Sequence, residues 1–299
     1  MNPSADFEEY DPSKHWIAPA RNFRSSARLH LQHFLAQNTL GYLLDPIVEQ
    51  AVANNSQSLR VADLACGNGI WLSELHSHLA SKNIPAQLDG FDINPINFPH
   101  PAYLPPTVTL SQLDILAKPL PAHLLGKYDV VHIRSFVSVI ADADLTPVLS
   151  IAWELLKPGG YLQWEENRGD KFYVESPSPQ ISKAACDTIV QALTANLQAR
   201  GIVNDWVDVL DTYLEEFGFE DVRLRVQDKR RQDFKGWTED YLMVWEELAT
   251  YFPPKATDPN ARLSREAWTE LFARAVKETE QGVVVHQRRF ISAIGMKPL

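Results

Sequence analysis

Between Ser25 and Gln50 the apolar residues Leu29, Phe34, Leu35, Leu40, Leu43, Leu44, Ile47 and Val48 recur at helical spacing, with Gly41 between two runs. The spacing predicts two helices broken at the glycine. Ahead of them, residues 1–22 carry Pro3, Pro12 and Pro19 among polar groups and read as an irregular arm. The pattern then changes to short apolar runs alternating with helical stretches. LRVADLACGNG (59–69) is a strand closed by glycines, IWLSELHSHLASK a helix, and AQLDGFDI a strand ending near Asp92. A Pro-rich connector (95–106) leads to strands at 108–115 and 128–135, a helix at 144–156, a KPGG turn and a strand at 160–166. Parallel neighbours need a crossover between them, so this alternation predicts a mostly parallel sheet with helices on both faces.

After Glu166 the rhythm changes. Helical patterns at 179–200, 204–218, 237–252 and 264–281 are interrupted by strand-like stretches at 219–230 and 284–297. These helices exceed what crossovers require and read as a lid over the carboxyl edge of the sheet, where open α/β folds bind ligands. The chain therefore divides into an N-terminal arm with covering helices (1–58), a ligand-binding core (59–166), and the remaining strands with helical lid insertions (167–299), all in one integrated domain. Trp206, Tyr213, Trp237, Tyr241, Trp245 and Trp268 fall on the lid helices and are expected in its core, some of them walling an apolar pocket.

Composition narrows the classes. The 299 residues are 45% hydrophobic with a formal net charge of −10, which fits a globular chain and argues against binding nucleic acid by neutralising phosphates over a broad surface. Cys66 and Cys186 stand far apart with no C-x-x-C pair, which favours a reducing, cytoplasmic setting over a disulfide scaffold. No stretch approaches the roughly 20 apolar residues of a membrane span, and the first residues are polar and acidic, unlike a secretory signal. His30 and His33 have ligand-compatible spacing but no H-E-x-x-H context, so no metal site is expected.

The chemistry concentrates at Asp63-Leu64-Ala65-Cys66-Gly67-Asn68-Gly69, where a strand enters a glycine turn and a helix, with Asp92 ending the next strand. Small residues let backbone approach a ligand, and a strand-end carboxylate accepts from two ribose hydroxyls. The nicotinamide fingerprint fails, because Leu72 stands where its last glycine belongs; no P-loop motif occurs. The stretch resembles the first motif of Rossmann-like S-adenosylmethionine-dependent methyltransferases, D-x-G-x-G-x-G, with Ala65 in place of the first glycine. A methyl group there is expected to be tolerated on a backbone of negative φ. Longer strings, SARLHLQHFLAQNTLGYLLDP (26–46), GFDINPINFP (90–99), YDVVHIRS (128–135) and LLKPGGYLQWEE (155–166), are similar to those of the fungal natural-product methyltransferases.

The resemblance implies S-adenosyl-L-methionine as cofactor. Asp63 would receive its ammonium, the turn through Ala65, Gly67 and Gly69 its methionine part, Asp92 its ribose and Asp114 its adenine amino group, with Ile93 and Ile115 as apolar walls. Arg134 would sit at the carboxyl edge beside it, and Arg28, Gln32 and His33 on the covering helix. The partner implied is a largely apolar small molecule, with no nucleic acid and no membrane. The candidate bases by residue type are His132, Glu165, Glu166 and His286; His132 lies inside the apolar VVHIR strand, where a packed histidine is the commoner outcome, Glu165 and Glu166 are expected on opposite sides of their strand, and His132 and Glu166 stand as the catalytic candidates. Methyl transfer leads the functional readings. A methyltransferase-fold cyclase that keeps the cofactor without methyl transfer, and a non-enzymatic cofactor-binding regulator, are the alternatives.

Overall fold

The computed structural model describes residues 22–53, 58–137, 139–140, 142–258 and 263–299. The proline-containing arm ahead of residue 22 lies outside them. A seven-stranded sheet runs in the order β3-β2-β1-β4-β5-β9-β7. Its strands are β1 (Leu59–Leu64), β2 (Ala86–Asp92), β3 (Val108–Gln112), β4 (Tyr128–Arg134), β5 (Leu156–Glu166), β7 (Glu220–Asp228) and β9 (Arg289–Met296). The pairs β3-β2, β2-β1, β1-β4 and β4-β5 are parallel, and β9 is antiparallel to both neighbours. This is a Rossmann-like sheet whose order reverses between β1 and β4, the place where two adjacent carboxyl ends open a crevice.

Strand alternation separates two cores. Val61 and Val130 face α2 (Pro46–Ala53) and α3 (Ile70–Ser81) in one cluster with Leu72 and Leu75. Ala62 and Val131 face the opposite cluster, with α4 (Thr146–Leu155) and α6 (Leu210–Phe217). A third cluster joins α1 (Phe23–Leu40), α5 (Ala184–Ala199), α7 (Phe234–Leu248) and α8 (Arg265–Glu280) through Leu35, Ile189, Trp237, Trp245 and Trp268. This cluster is the helical lid. Trp206, Leu210 and Leu214 belong instead to the second core, so α6 is a sheet-covering crossover rather than the lid helix its pattern suggested.

Most boundaries follow from local chemistry. The Asn22 side chain accepts from Arg24 N and Ser25 N while Ser25 reaches back to Asn22 N, a capping box that starts α1; Gly41 at φ 80° ends it. Strand β5 begins at Leu156 rather than Gly160, because Gly159 N and Gly160 O both pair with Lys297. The final strand is split. Arg288 turns at φ 50°, with its N–H donating to His286 Nδ1, so β8 (Val284–His286) leaves the main sheet and pairs with β6 (Tyr173–Glu175), a strand too short to show a period.

Candidate functional site

Gly67, at φ +59°, makes the turn after β1, and a Cβ there would stand 2.9 Å from Leu29 of α1. The turn is held from β2: Asp92 accepts from Gly67 N at 2.9 Å and from Asn94 N at 3.0 Å. It is held from above by Asn68, whose amide donates to Ser26 O at 3.2 Å and meets His30 Nδ1 at 2.8 Å. Ala65 adopts φ +55°, contrary to the negative φ expected for it, so its Cβ carries the left-handed penalty of about 1–2 kcal/mol. Ser135, at the tip of β4, is a second non-glycine at φ +55°. Strained residues of this kind persist where the surroundings over-determine them, and sites are where they collect.

Beside the turn lies a small, open cleft of about 70 Å³. Its floor is Asp63, Ala65, Gly67, His132, Arg134 and Ser135; its roof is Leu29, Gln32 and His33 of α1. Asp63 and Asp92, at adjacent strand ends, are both buried. Asp114 is exposed beyond β3 and accepts from Leu116 N at 2.9 Å, a turn cap; Ile115 is buried in the core below it, and Ile93 is half-buried. Asp92, Ile93, Asp114 and Ile115 do not line the cleft around Asp63, so the expected residues fall into two groups along the sheet edge.

A polar network that the sequence did not announce runs under the cleft. His132 is buried, its ring stacked on Trp71 at 3.7 Å, with Nδ1 2.7 Å from Asp63 Oδ1 and Nε2 3.4 Å from Glu165 Oε2. Burial opposes its positive charge, but the two carboxylates prevail and raise its pKa. Glu165 also accepts from Arg134 Nε at 2.6 Å, and Gln163 Nε2 donates to it at 2.7 Å. Against the cost of burial, the Arg134 and His132 charges hold the Glu165 carboxyl down at about 2. Arg134 Nη1 approaches His33 Nδ1 at 3.1 Å; a guanidinium only donates, so Nδ1 accepts and Nε2 carries the proton. Burial and Arg134 lower the pKa of His33 to about 3, keeping it neutral, and its Nε2 is buried without a hydrogen-bond partner, as is Ser135 Oγ.

The two glutamates at the end of β5 point apart, as alternation predicts. Glu165 joins the network below the cleft. Glu166 turns away and accepts from Phe136 N and Trp164 Nε1, so it caps the loop after β4 and is not placed as a base. Burial pushes its carboxyl up to about 8. The folded state then keeps a proton that the unfolded chain releases above about 4.5, so this group's contribution to stability is full below that pH and is lost as pH rises through about 8. Glu166→Gln, which mimics the neutral form, is expected to change stability by less than about 1 kcal/mol at pH 5 and to remove a loss of about 2–4 kcal/mol between pH 5 and 8. Urea melts of both proteins at the two pH values measure it.

The cleft and the strand ends beside it gather both acidic and donor groups. Two buried carboxylates stand at neighbouring strand ends, each oxygen able to accept more than one hydrogen bond; a left-handed turn allows close approach; Arg134, His33 Nε2–H and Ser135 stand ready for a carboxylate. Asp63, Ala65, Gly67 and Arg134 come together around one cleft, while His132, with both ring nitrogens engaged, serves as its support. Trp71, Gln163 and Asn68 escaped sequence reasoning because each acts through a partner distant in the chain.

Residues 62–162 match the family model of a methyltransferase domain. The chain is 33% identical over 178 residues to a methyltransferase of Penicillium sp, covering 58% of this chain and 59% of that one. It is 32% identical over 149 residues to an N-methyltransferase of Claviceps purpurea, covering 49% and 50%, and 27% identical over 218 residues to an N-methyltransferase of Clonostachys rogersoniana, covering 69% and 72%. The matched segments thus span 59% and 50% of the first two relatives' own length. Among the described residues no helix is long and apolar enough to cross a membrane.

Proposed function

We propose that the chain, whose residues 62–162 match the family model of a methyltransferase domain, transfers the methyl group of S-adenosyl-L-methionine to a small natural product. The observation that carries the reading is the meeting of Asp63, Asp92 and the left-handed 65–69 turn at the reversal of strand order. Asp63 and the turn would hold the methionine part, Arg134 its carboxylate, Asp92 the ribose and Asp114 the adenine amino group, between Ile93 and Ile115. When bound, the cofactor supplies an activated methyl group on a positively charged sulfur, so the acceptor needs alignment more than activation. The chain's part is accordingly to position, with His132 and Glu165 fixing Asp63 and Arg134 from beneath, and to exclude water with α1. Two of the relatives are named N-methyltransferases, which makes nitrogen the first acceptor atom to test.

Calorimetric titration with S-adenosylhomocysteine tests the site, with saturable binding of one molecule per chain expected; no heat at millimolar ligand would overturn the reading. Incubation of extract fractions with methyl-labelled cofactor then tests the reaction. Label in a small-molecule product supports transfer, whereas an unlabelled product isomeric with its precursor would identify a cofactor-retaining rearrangement instead.

A further inference from the structure

Helix α7 turns one face, Trp237, Asp240 and Tyr241, into the lid core, and its approach to α1 is close: a Cβ at Gly236 would meet Leu35 at 2.9 Å. Asp240 is only 1% exposed, yet its Oδ1 has no hydrogen-bond partner. The Arg28 guanidinium of α1 stands 3.8 Å away through Nη1, beyond hydrogen-bond range, and Arg28 Nε is itself buried without a partner. Gln32, one turn along α1, faces the Asp240 carboxylate and also lines the cleft, so this carboxylate lies directly behind the cleft roof. Lys229 completes the surroundings. It follows β7, whose Asp228 pairs with Arg289, so it lies at the carboxyl edge of the sheet. It is buried, with Nζ 3.4 Å from the Trp237 ring centroid and donating to Tyr241 Oη at 3.1 Å.

A buried acceptor and a buried donor left open within one ion pair each forfeit the hydrogen bond that would offset their desolvation. A ligand group that donates to Asp240 and accepts from Arg28 would recover both. We propose that the seam between α1 and α7, at Arg28, Gln32 and Asp240, recognises the methyl acceptor through an uncharged group that both donates and accepts a hydrogen bond, a hydroxyl or a secondary amide. This rests on the methyltransferase reading only in calling the ligand the acceptor. Charge selects the class. Burial pushes Lys229 toward its neutral form, and the Arg28 guanidinium is shared between the Asp240 and Glu247 carboxylates, so groups of both signs face the seam. A cation would meet Arg28 and an anion would meet Asp240.

The test uses 2-naphthol and 2-quinolone as hydroxyl and amide probes, with naphthalene and 2-naphthoate as controls that lack the uncharged donor, each titrated into the full chain loaded with S-adenosylhomocysteine. At least one of the two probes is expected to bind at least tenfold more tightly than either control. Asp240→Asn is expected to reduce that preference at least fivefold while the affinity for S-adenosylhomocysteine, which also reports correct folding, stays within twofold. Asp240→Glu, which moves the carboxylate without removing it, gives an intermediate preference and covers the case in which the asparagine variant misfolds. Equal binding of probes and controls, a preference that survives in the variants, or no binding of any probe to the native chain overturns the proposal. Absence of S-adenosylhomocysteine binding would count against the methyltransferase reading alone, since the same titrations without it still decide the seam.

Discussion

Asp92→Ala is expected to weaken S-adenosylhomocysteine binding by about tenfold to 150-fold and to lower folding stability by about 2–4 kcal/mol. Both effects have one origin. The carboxylate is buried and already accepts from Gly67 N and Asn94 N, so alanine strands two backbone donors and frees the turn that forms one wall of the cleft. The affinity loss is that of a charge-assisted bond to a ribose hydroxyl, worth about 1.5–3 kcal/mol. Calorimetry and urea melts on the same preparation separate the terms. Full affinity in a destabilised variant would confine Asp92 to holding the turn and place the ribose elsewhere.

Glu165→Ala is expected to cost about 3–5 kcal/mol of stability and to abolish measurable cofactor binding. Removing one partner of a buried charge network leaves the others uncompensated, and Glu165 faces both Arg134 and His132 while also receiving the Gln163 amide. Freed of this anchor, Arg134 has His33 Nδ1 as its remaining contact in the network, and the tie that positions it in the cleft is lost. The variant should also change the acid limb of stability. A carboxyl held at about 2 contributes stability that is present above about 4.5 and lost as pH falls toward 2. His33, held neutral down to about 3, acts in the same direction, because the unfolded chain takes up its proton from about 6.5 downward. Stability should therefore decline less steeply in the variant between pH 4.5 and 2, with the His33 component between 6.5 and 3 retained. Identical slopes would mean that Glu165 is not the ionised centre of the network.

Much of the core was legible because its signals are local. The glycine turn, Asp63 and Asp92 belong to one βαβ unit, and a period of two or of 3.6 identifies each element. The lid was legible only as helices. Whether a helix covers the sheet face or its edge depends on which cluster its apolar stripe joins, and the stripe of α6 joins Leu64 and Val131 rather than Trp237. The same limit applies to Glu166. Alternation told that it and Glu165 diverge, but their roles depend on Phe136 N and Arg134, contacts made across the fold. Ala65 failed in the opposite sense: the motif placed it, while the backbone torsion it must adopt is set by Asp92 gripping Gly67 from the neighbouring strand.

Two alanine-like or small residues in left-handed torsion, Ala65 and Ser135, stand at the tips of the central parallel strands. The sheet beneath holds them there at a fixed energetic disadvantage, which means the recess is preorganised before any nucleoside arrives. Little conformational entropy remains to be surrendered on binding at those two tips, and their backbone torsions should be the same in the free and the filled protein.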